Sequence, residues 1–379
     1  MQNKNQNNRL LFTLLFAFSL FTLFTVMIYS TTDLSTSARA ATLYEPKTKS
    51  FIYEKNSHER LPMASTTKIM TALVALENAA LSKVVKIDPR AVGVEGSSLY
   101  LKEGEELTLE DLIYALLLRS ANDAASAIAY DISGSIEDFA ALMNERAAKL
   151  GLSDTSFKNP HGLDDKEHYT TAHDLALIAS AALENQDILR ICSTYKKTIS
   201  NSEGLDRLLV NHNKLLKICD GAIGVKTGFT KKSGRCLVGA AERDGLTLIS
   251  VTLDAPNDWS DHEAMLECGF ALYESRLVAD VGEYCYEIPV IGASDANRTV
   301  RVCNQDSLRI VMKRSDAEIK ASVSLTKYTA APIKKGEVLG EVSFTQNGSF
   351  IGSIKLKAVE DIAQQKKKSI FDIFTKAKD

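Results

Sequence analysis

The stretch Leu61-Pro62-Met63-Ala64-Ser65-Thr66-Thr67-Lys68-Ile69-Met70-Thr71-Ala72-Leu73 decides how the chain is read. Pro62 and the small residues after it end an extended approach, and an apolar run with helical spacing follows. Ile69, Leu73 and Leu76 recur at i, i+4 and i+7, which predicts a buried helix beginning near Ser65. A serine in the first helical turn holds its hydroxyl at the positive end of the helix dipole, where developing negative charge is stabilised. Lys68 follows three residues later, on the same face and one turn away. A lysine on an otherwise apolar helix is desolvated, which lowers its pKa and lets it act as a base at neutral pH. Ser65 and Lys68 thus form a candidate nucleophile with its own activator. Ser-x-x-Lys is also a common solvated helix start, so its chemistry depends on partners elsewhere in the chain.

The chain has 379 residues, enough for two domains. A formal net charge of -3 gives no reason to expect a nucleic-acid partner. The first 40 residues differ from those that follow. Lys4 and Arg9 precede an apolar run from Leu10 to Tyr29, and Ala38-Arg39-Ala40 offers an A-x-A cleavage pattern. Residues 1–40 therefore read as a secretory signal removed after Ala40, with an uncleaved anchor as the other reading of so long a run. Both readings put the rest of the chain outside the cytoplasm. Six cysteines contain no C-x-x-C pair, so neither a redox motif nor a zinc ribbon is suggested. Cys236 and Cys268 sit in apolar segments, and mostly free thiols are expected.

Residues 42–44 and 50–53 read as a hairpin around Pro46, and a second hairpin-like region spans about 84–101. Thr108 opens a helix with Asp111 as a capping-box-like partner, and another helix begins at Asp123. Further helices are expected at about 136–150 and 173–185, with a turn-rich loop at 157–164 between them. After Gly224 the period becomes extended: 225–230, 235–242 and 246–253 read as strands, the last two joined by Asp244-Gly245. A helix over about 261–275 closes the unit. Strands at both ends with helices between predict an α+β domain, an antiparallel sheet flanked by helices. From about Val278 short alternating runs predict a small all-β sandwich. Lys366-Lys367-Lys368 before Ile370, Phe371, Ile373 and Phe374 fits an amphipathic helix lying on an anionic membrane. The domain reading is thus 1–40, 41–276, 277–358 and 359–379.

Two further clusters suit Ser65 and Lys68. Ser120-Ala121-Asn122 lies in an interhelical corner, where a serine can carry a proton and an asparagine amide can bind a substrate amide. Ser and Asn also serve as ordinary helix caps. Lys226-Thr227-Gly228 lies on an extended run, where Lys and Thr can bind a carboxylate and Gly admits a substrate to the backbone. The N–H groups of Ser65 and Phe229 offer an oxyanion hole.

Ser-x-x-Lys, Ser-x-Asn and Lys-Thr-Gly in that order, on helix, corner and strand, form the serine β-lactamase and penicillin-binding-protein signature. The chain from 41 to 275 resembles the D-alanyl-D-alanine carboxypeptidases of serine-peptidase family S11. The likeness extends to Leu43-Tyr44-Glu45-Pro46, Gly96-Ser97-Ser98, Asn159-Pro160-His161-Gly162-Leu163 and Thr170-Thr171-Ala172. The resemblance implies a β-lactamase/transpeptidase-like fold, and the β-rich region with its tail resembles the family's C-terminal domain and anchor. It implies that Lys68 deprotonates Ser65, which attacks the bond between the last two D-alanines of a peptidoglycan stem peptide. Ser120 then assists the leaving D-alanine, Asn122 orients the peptide, and Lys226 with Thr227 holds the carboxylate beside Gly228 and Phe229. β-Lactams would acylate the same serine, and no cofactor or metal is implied. The arginine that family members often place near the closing helix has no assignable counterpart in Asp258-Trp259-Ser260-Asp261-His262.

Other readings are a DD-endopeptidase or transpeptidase acting on cross-links, a class A-like β-lactamase, and an inactive wall-binding homologue. The loop at 159–164 lacks the Glu-x-x-x-Asn run that such a β-lactamase uses, and every motif residue needed for activity is present. His161, His168 and His173 are close in sequence, but their spacing matches no metal motif.

Overall fold

The computed structural model describes residues 34–293, 298–315 and 318–365. Most of the leader read at 1–40, and the amphipathic tail from Lys366, lie outside the described residues. The chain divides into two units, Met1–Ala271 and Leu272–Asp379.

The first unit is built on an antiparallel five-stranded sheet ordered β2-β1-β9-β8-β7. Its strands are β1 (Ala40–Glu45), β2 (Ser50–Lys55), β7 (Ala222–Thr230), β8 (Gly234–Arg243) and β9 (Leu246–Leu253). Asp244 and Gly245, both at positive φ, close the β8–β9 hairpin as their sequence predicts. Alternation along β9 serves two layers, because successive side chains of a strand point to opposite faces. Ile249 and Val251 join the large helical core, while Ser250 and Thr252 hydrogen-bond His262 on the closing helix.

The helices between the strands are α1 (Lys68–Asn78), α2 (Leu109–Tyr114), α3 (Asn122–Ser133), α4 (Ile136–Lys149), α5 (Ala172–Leu183), α6 (Gln186–Ser193) and α7 (Leu215–Ile218), and α8 (Asp258–Leu272) closes the unit. Their sequences carry the caps that start them. Thr108 accepts from the Asp111 N–H and donates to its carboxylate, Ser135 caps α4 in the same way through Asp138, and Thr171 caps α5 by accepting from the Asp174 N–H. Ile69, Met70 and Leu73 of α1 pack with Leu112, Ile113, Phe139, Leu175 and Ile178 in one buried cluster. Truncating Phe139 to Ala would cost about 3–5 kcal/mol by cavity formation.

Four details differ from the sequence reading. Val84–Lys86 (β3) pairs with Glu106–Thr108 (β4), so the hairpin excludes 95–101, where the Leu99 and Leu101 N–H groups go to the Asp123 carboxylate instead. The helix α6 and the hairpin β5 (Lys196–Ser200) with β6 (Asp206–Val210) have no counterpart in that reading. The closing helix ends at Leu272, and Tyr273–Ala279 is a strand. Upstream of Ala41, residues assigned to the leader are part of the fold. Ala38 and Ala40 are buried, the Ser37 hydroxyl and N–H bond Asp261 at 2.6 and 3.0 Å, and Lys55 donates to Thr36 O.

The second unit is all-β as predicted. β10 (Tyr273–Ala279) pairs with β13 (Leu308–Lys313). A six-stranded sheet has the order β14-β16-β17-β12-β11-β15, formed by Ile319–Leu325, Val338–Gln346, Ser349–Ala358, Thr299–Asn304, Cys285–Ile291 and Thr329–Ala330. Val300, Val302, Val342, Phe344 and Leu356 centre its core, which also takes in Ile362, beyond the sequence-based end at 358. Cys285 and Cys303 lie opposite each other on β11 and β12 and are disulfide-bonded. The remaining four cysteines are free and buried.

Candidate active site

The serine stands in a tightly tied turn. Ala64–Thr67 forms a single 3₁₀ turn that runs into α1. Thr66 Oγ1 donates to Met63 O and Thr67 Oγ1 to Ala64 O, while Thr67 Oγ1 also meets His168 Nε2 at 2.8 Å. Ala64 has φ 47°, a left-handed conformation costly for a residue with a Cβ. Gly162 packs so closely on the Ala64 carbonyl that a Cβ there would lie 2.0 Å from its oxygen. The strain before Ser65 is therefore held by packing from the 157–164 loop.

Lys68 opens α1 and is fully buried. Its Nζ donates to Ser65 Oγ at 2.9 Å, Asn122 Oδ1 at 2.7 Å and His161 O at 2.5 Å. Burial holds its pKa well below that of an ordinary lysine, and the charge of Lys226 acts in the same direction, while Asp123 opposes it. A neutral amine at this place can accept the Ser65 proton.

The corner motif is delivered by an irregular helix. After α2 the chain makes a π-helical turn over Ala115–Arg119, and Ser120 follows at φ 62°. Such turns recur at functional sites because they re-aim the residues behind them. Ser120 faces the same cleft as Ser65, and its hydroxyl is hydrogen-bonded to neither lysine. Asn122 is held on three sides: its N–H donates to Ser97 O at 2.7 Å, Nδ2 to Glu95 O at 2.5 Å, and Oδ1 accepts from Lys68.

β7 is an edge strand of the sheet and brings the third motif. Lys226 is buried, donates to Thr227 O at 2.9 Å, and is lowered to about 7 by desolvation. Gly228 lies against the Ser65 turn, where a Cβ would meet Ser65 N at 3.0 Å. Phe229 is 65% exposed, so its ring is not part of the core.

These elements enclose a cleft of about 360 Å³ lined by Ser65, Ser120, Thr227, Gly228, Arg235 and Trp259, among others. Lys68, Asn122 and Lys226 are not among its lining residues. The structure thus brings Ser65, Lys68, Ser120, Asn122, Lys226, Thr227, Gly228 and Phe229 together. It adds a cation that sequence reasoning missed. Arg235, at the start of β8 and paired in register with Phe229, bonds Asp258 at 2.8 Å and stacks over Trp259, 5.6 Å from its ring. Its Nε is buried without a hydrogen-bond partner. Lys214 Nζ stands 5.9 Å from the same ring. The Gly234-Arg235 step after Lys-Thr-Gly was the available signal, but only the turn over 231–234 returns it to the cleft.

The three neighbouring histidines take separate tasks. His161 gives its carbonyl to Lys68, and its ring is lowered to about 3 by burial. His168 bridges Thr67 and the Lys158 N–H, and His173 stacks on Phe51.

The D-alanyl-D-alanine carboxypeptidase family model matches residues 27–257, more than half of the chain. The chain belongs to that family. The model of the penicillin-binding protein 5 C-terminal domain matches residues 273–364. The chain is 32% identical over 356 residues to D-alanyl-D-alanine carboxypeptidase DacF of Bacillus subtilis, covering 91% of this chain and 90% of that one. It is 30% identical over 346 residues to DacC of Escherichia coli, covering 87% and 85%. Among solved structures, penicillin-binding protein 5 of Haemophilus influenzae is similar with a TM-score of 0.63 and 27% identity, over 87% of this chain and 98% of that one. A mutant of the Streptomyces K15 DD-transpeptidase has a TM-score of 0.60 at 32% identity, over 63% and 99%. The expected α+β fold with an all-β domain after it is the one found. Members of this carboxypeptidase family are serine hydrolases, and the Ser-x-x-Lys serine of this one opens onto the cleft.

Proposed function

We propose that the chain removes the terminal D-alanine from peptidoglycan stem peptides through an acyl-enzyme on Ser65. The observation that carries this reading is the buried Lys68 Nζ, 2.9 Å from a Ser65 hydroxyl that lines the cleft. As Ser65 Oγ attacks the carbonyl carbon between the last two D-alanines, its proton passes to the neutral Lys68 amine. The oxyanion accepts from the Ser65 and Phe229 N–H groups. Ser120 relays the proton from the Lys68 ammonium to the departing amine as the C–N bond breaks, and water then hydrolyses the ester and returns the Ser65 proton. Asn122 orients the peptide, while Thr227, Lys226 and the Arg235 guanidinium attract the terminal carboxylate, beside a backbone left open by Gly228. β-Lactams, which present a strained amide and a carboxylate to the same groups, acylate Ser65.

The test is D-alanine release from a Lys-D-Ala-D-Ala peptide by the purified protein, with Ser65→Ala beside it. Release by the wild type and none by the variant supports the reading. Turnover of cross-linked dimers alone would assign an endopeptidase or transpeptidase instead.

The protein would act outside the cytoplasm on the inner face of the wall. Export by the leader fits this, with processing upstream of Thr36 rather than after Ala40, since Ser37, Ala38 and Ala40 contribute to the fold and the family match begins at 27. The amphipathic segment from Lys366 would lie on an anionic membrane surface as an interfacial helix. No helix among the described residues is long and apolar enough to cross a membrane, and a surface helix need not cross one. Sedimentation with anionic vesicles, lost on deleting 366–379, would support this anchor.

A further inference from the structure

Asn122 and Asp123 are neighbours on α3 that reach in different directions. Asn122 extends to Lys68, and Asp123 to the loop that holds Asn122. The Asp123 carboxylate is buried and accepts from Ser98 Oγ at 2.6 Å, Leu99 N at 3.0 Å, Leu101 N at 3.1 Å and Ala124 N at 2.9 Å. It has no cationic partner within salt-bridge distance among the described residues. The loop it binds returns two carbonyls, Glu95 O and Ser97 O, to Asn122. Gly96 between them approaches so closely that a Cβ would lie 2.7 Å from Asn122 Nδ2. Tyr100 in the same loop is at φ 58° with its side chain 84% exposed, so packing of its ring does not repay that strain. The Asp123 bonds to Ser98, Leu99 and Leu101 hold the loop in this shape together with the Asn122 bonds to Glu95 O and Ser97 O and the bond from Tyr100 N to Ser98 Oγ.

We propose that Asp123 is a positioning residue for the reaction, clamping the 95–101 loop onto Asn122 and through it fixing the Lys68 amine against Ser65. The proposal rests on Ser65 and Lys68 being the reacting pair. An acidic residue in a first helical turn has an ordinary structural use as well, stabilising the helix dipole. What separates the two roles is the effect on Lys68. The charged groups that face Lys68 are Lys226 from β7 and Asp123 from α3. His161 and His168 from the intervening loop are neutral at working pH, lowered by burial to about 3 and about 4. Lys226 favours the free amine and Asp123 the ammonium, so removing the Asp123 charge lets Lys68 lose its proton at lower pH.

The experiment is the second-order rate of acylation by a fluorescent penicillin from pH 5 to 9, on the full chain. The variants are Asp123→Asn, which keeps shape and loses charge, and Asp123→Glu, which keeps charge and displaces the carboxylate. For Asp123→Asn we expect a plateau lower by roughly 10- to 100-fold and an acid limb moved to lower pH. For Asp123→Glu we expect a lower plateau with the limb unmoved. A folded Asp123→Asn with wild-type acylation, or with reduced amplitude and an unmoved limb, overturns the proposal and leaves a structural aspartate. Should Asp123→Asn not fold, Asp123→Glu and Ser98→Ala decide: plateaus lowered at least threefold support the clamp, and wild-type rates in both overturn it. Absence of acylation in the wild type would instead sink the reading of Ser65 and Lys68 on which the clamp depends.

Discussion

Gly228 backs directly onto the nucleophile: a Cβ at that position would sit 3.0 Å from Ser65 N and 3.2 Å from Met63 O. The close approach joins an edge strand to a helix start, beside the two N–H groups proposed to hold the oxyanion. Gly228→Ala must push the two apart by a few tenths of an ångström. We expect kcat/KM to fall roughly 10²-fold with little change in Tm, because an oxyanion donor displaced by that amount loses much of its effect. Steady-state hydrolysis and a thermal melt of the variant check this.

Lys68→Arg separates charge from basicity. Guanidinium stays protonated at every working pH, so it can satisfy Asn122 Oδ1 and His161 O but cannot take the Ser65 proton. Acylation should slow roughly a thousandfold. Near wild-type acylation would remove Lys68 from the role of base.

In the proposed mechanism the two lysines set opposite limbs of the pH profile. Lys68 must be neutral, so activity rises as pH climbs through its lowered pKa. Lys226 must be charged to attract a carboxylate, so kcat/KM should fall as pH rises through about 7. A bound carboxylate favours the ammonium, hence the alkaline limb of kcat should lie above that of kcat/KM. Coincident alkaline limbs would argue that Lys226 does not meet the carboxylate.

Arg235→Leu should raise KM for a free carboxylate far more than it lowers kcat, with kcat/KM down about 10- to 100-fold, the usual worth of a charged hydrogen bond. A peptide amidated at its C-terminus should show almost no difference between variant and wild type. Equal losses on both peptides would make Arg235 a structural partner of Asp258.

His262 is fully buried between Ser250 and Thr252, and desolvation lowers it to about 3. The unfolded chain takes up that proton near 6.5 while the folded chain does not, so stability falls as pH drops from 6.5 toward 3. At pH 5 this amounts to about 2 kcal/mol. His262→Asn should start less stable at pH 7 yet lose less Tm between pH 7 and 5. An identical slope in both proteins would contradict the assignment.

Much of this was legible because the three motifs are local. Ser65 and Lys68 share one turn, Thr108 and Asp111 form a cap, and Asp244-Gly245 is a turn by its own chemistry. Arg235 and Asp123 were not legible, because each reaches the site through a loop whose path only the fold determines. The Cys285–Cys303 bridge depends on the register of β11 and β12, which alternation alone leaves open. Ala38-Arg39-Ala40 has the small residues of a cleavage pattern, yet Ala38 and Ala40 are buried where the chain enters β1, and their neighbour Ser37 reveals its use only through Asp261, 224 residues away.

The most direct measurement is mass spectrometry of the intact protein and its tryptic peptides after a short penicillin pulse. The account predicts one penicilloyl group per chain, on the peptide carrying Ser65, absent from Ser65→Ala and strongly delayed in Lys68→Arg. No adduct on a folded protein, or an adduct at another residue, would contradict it.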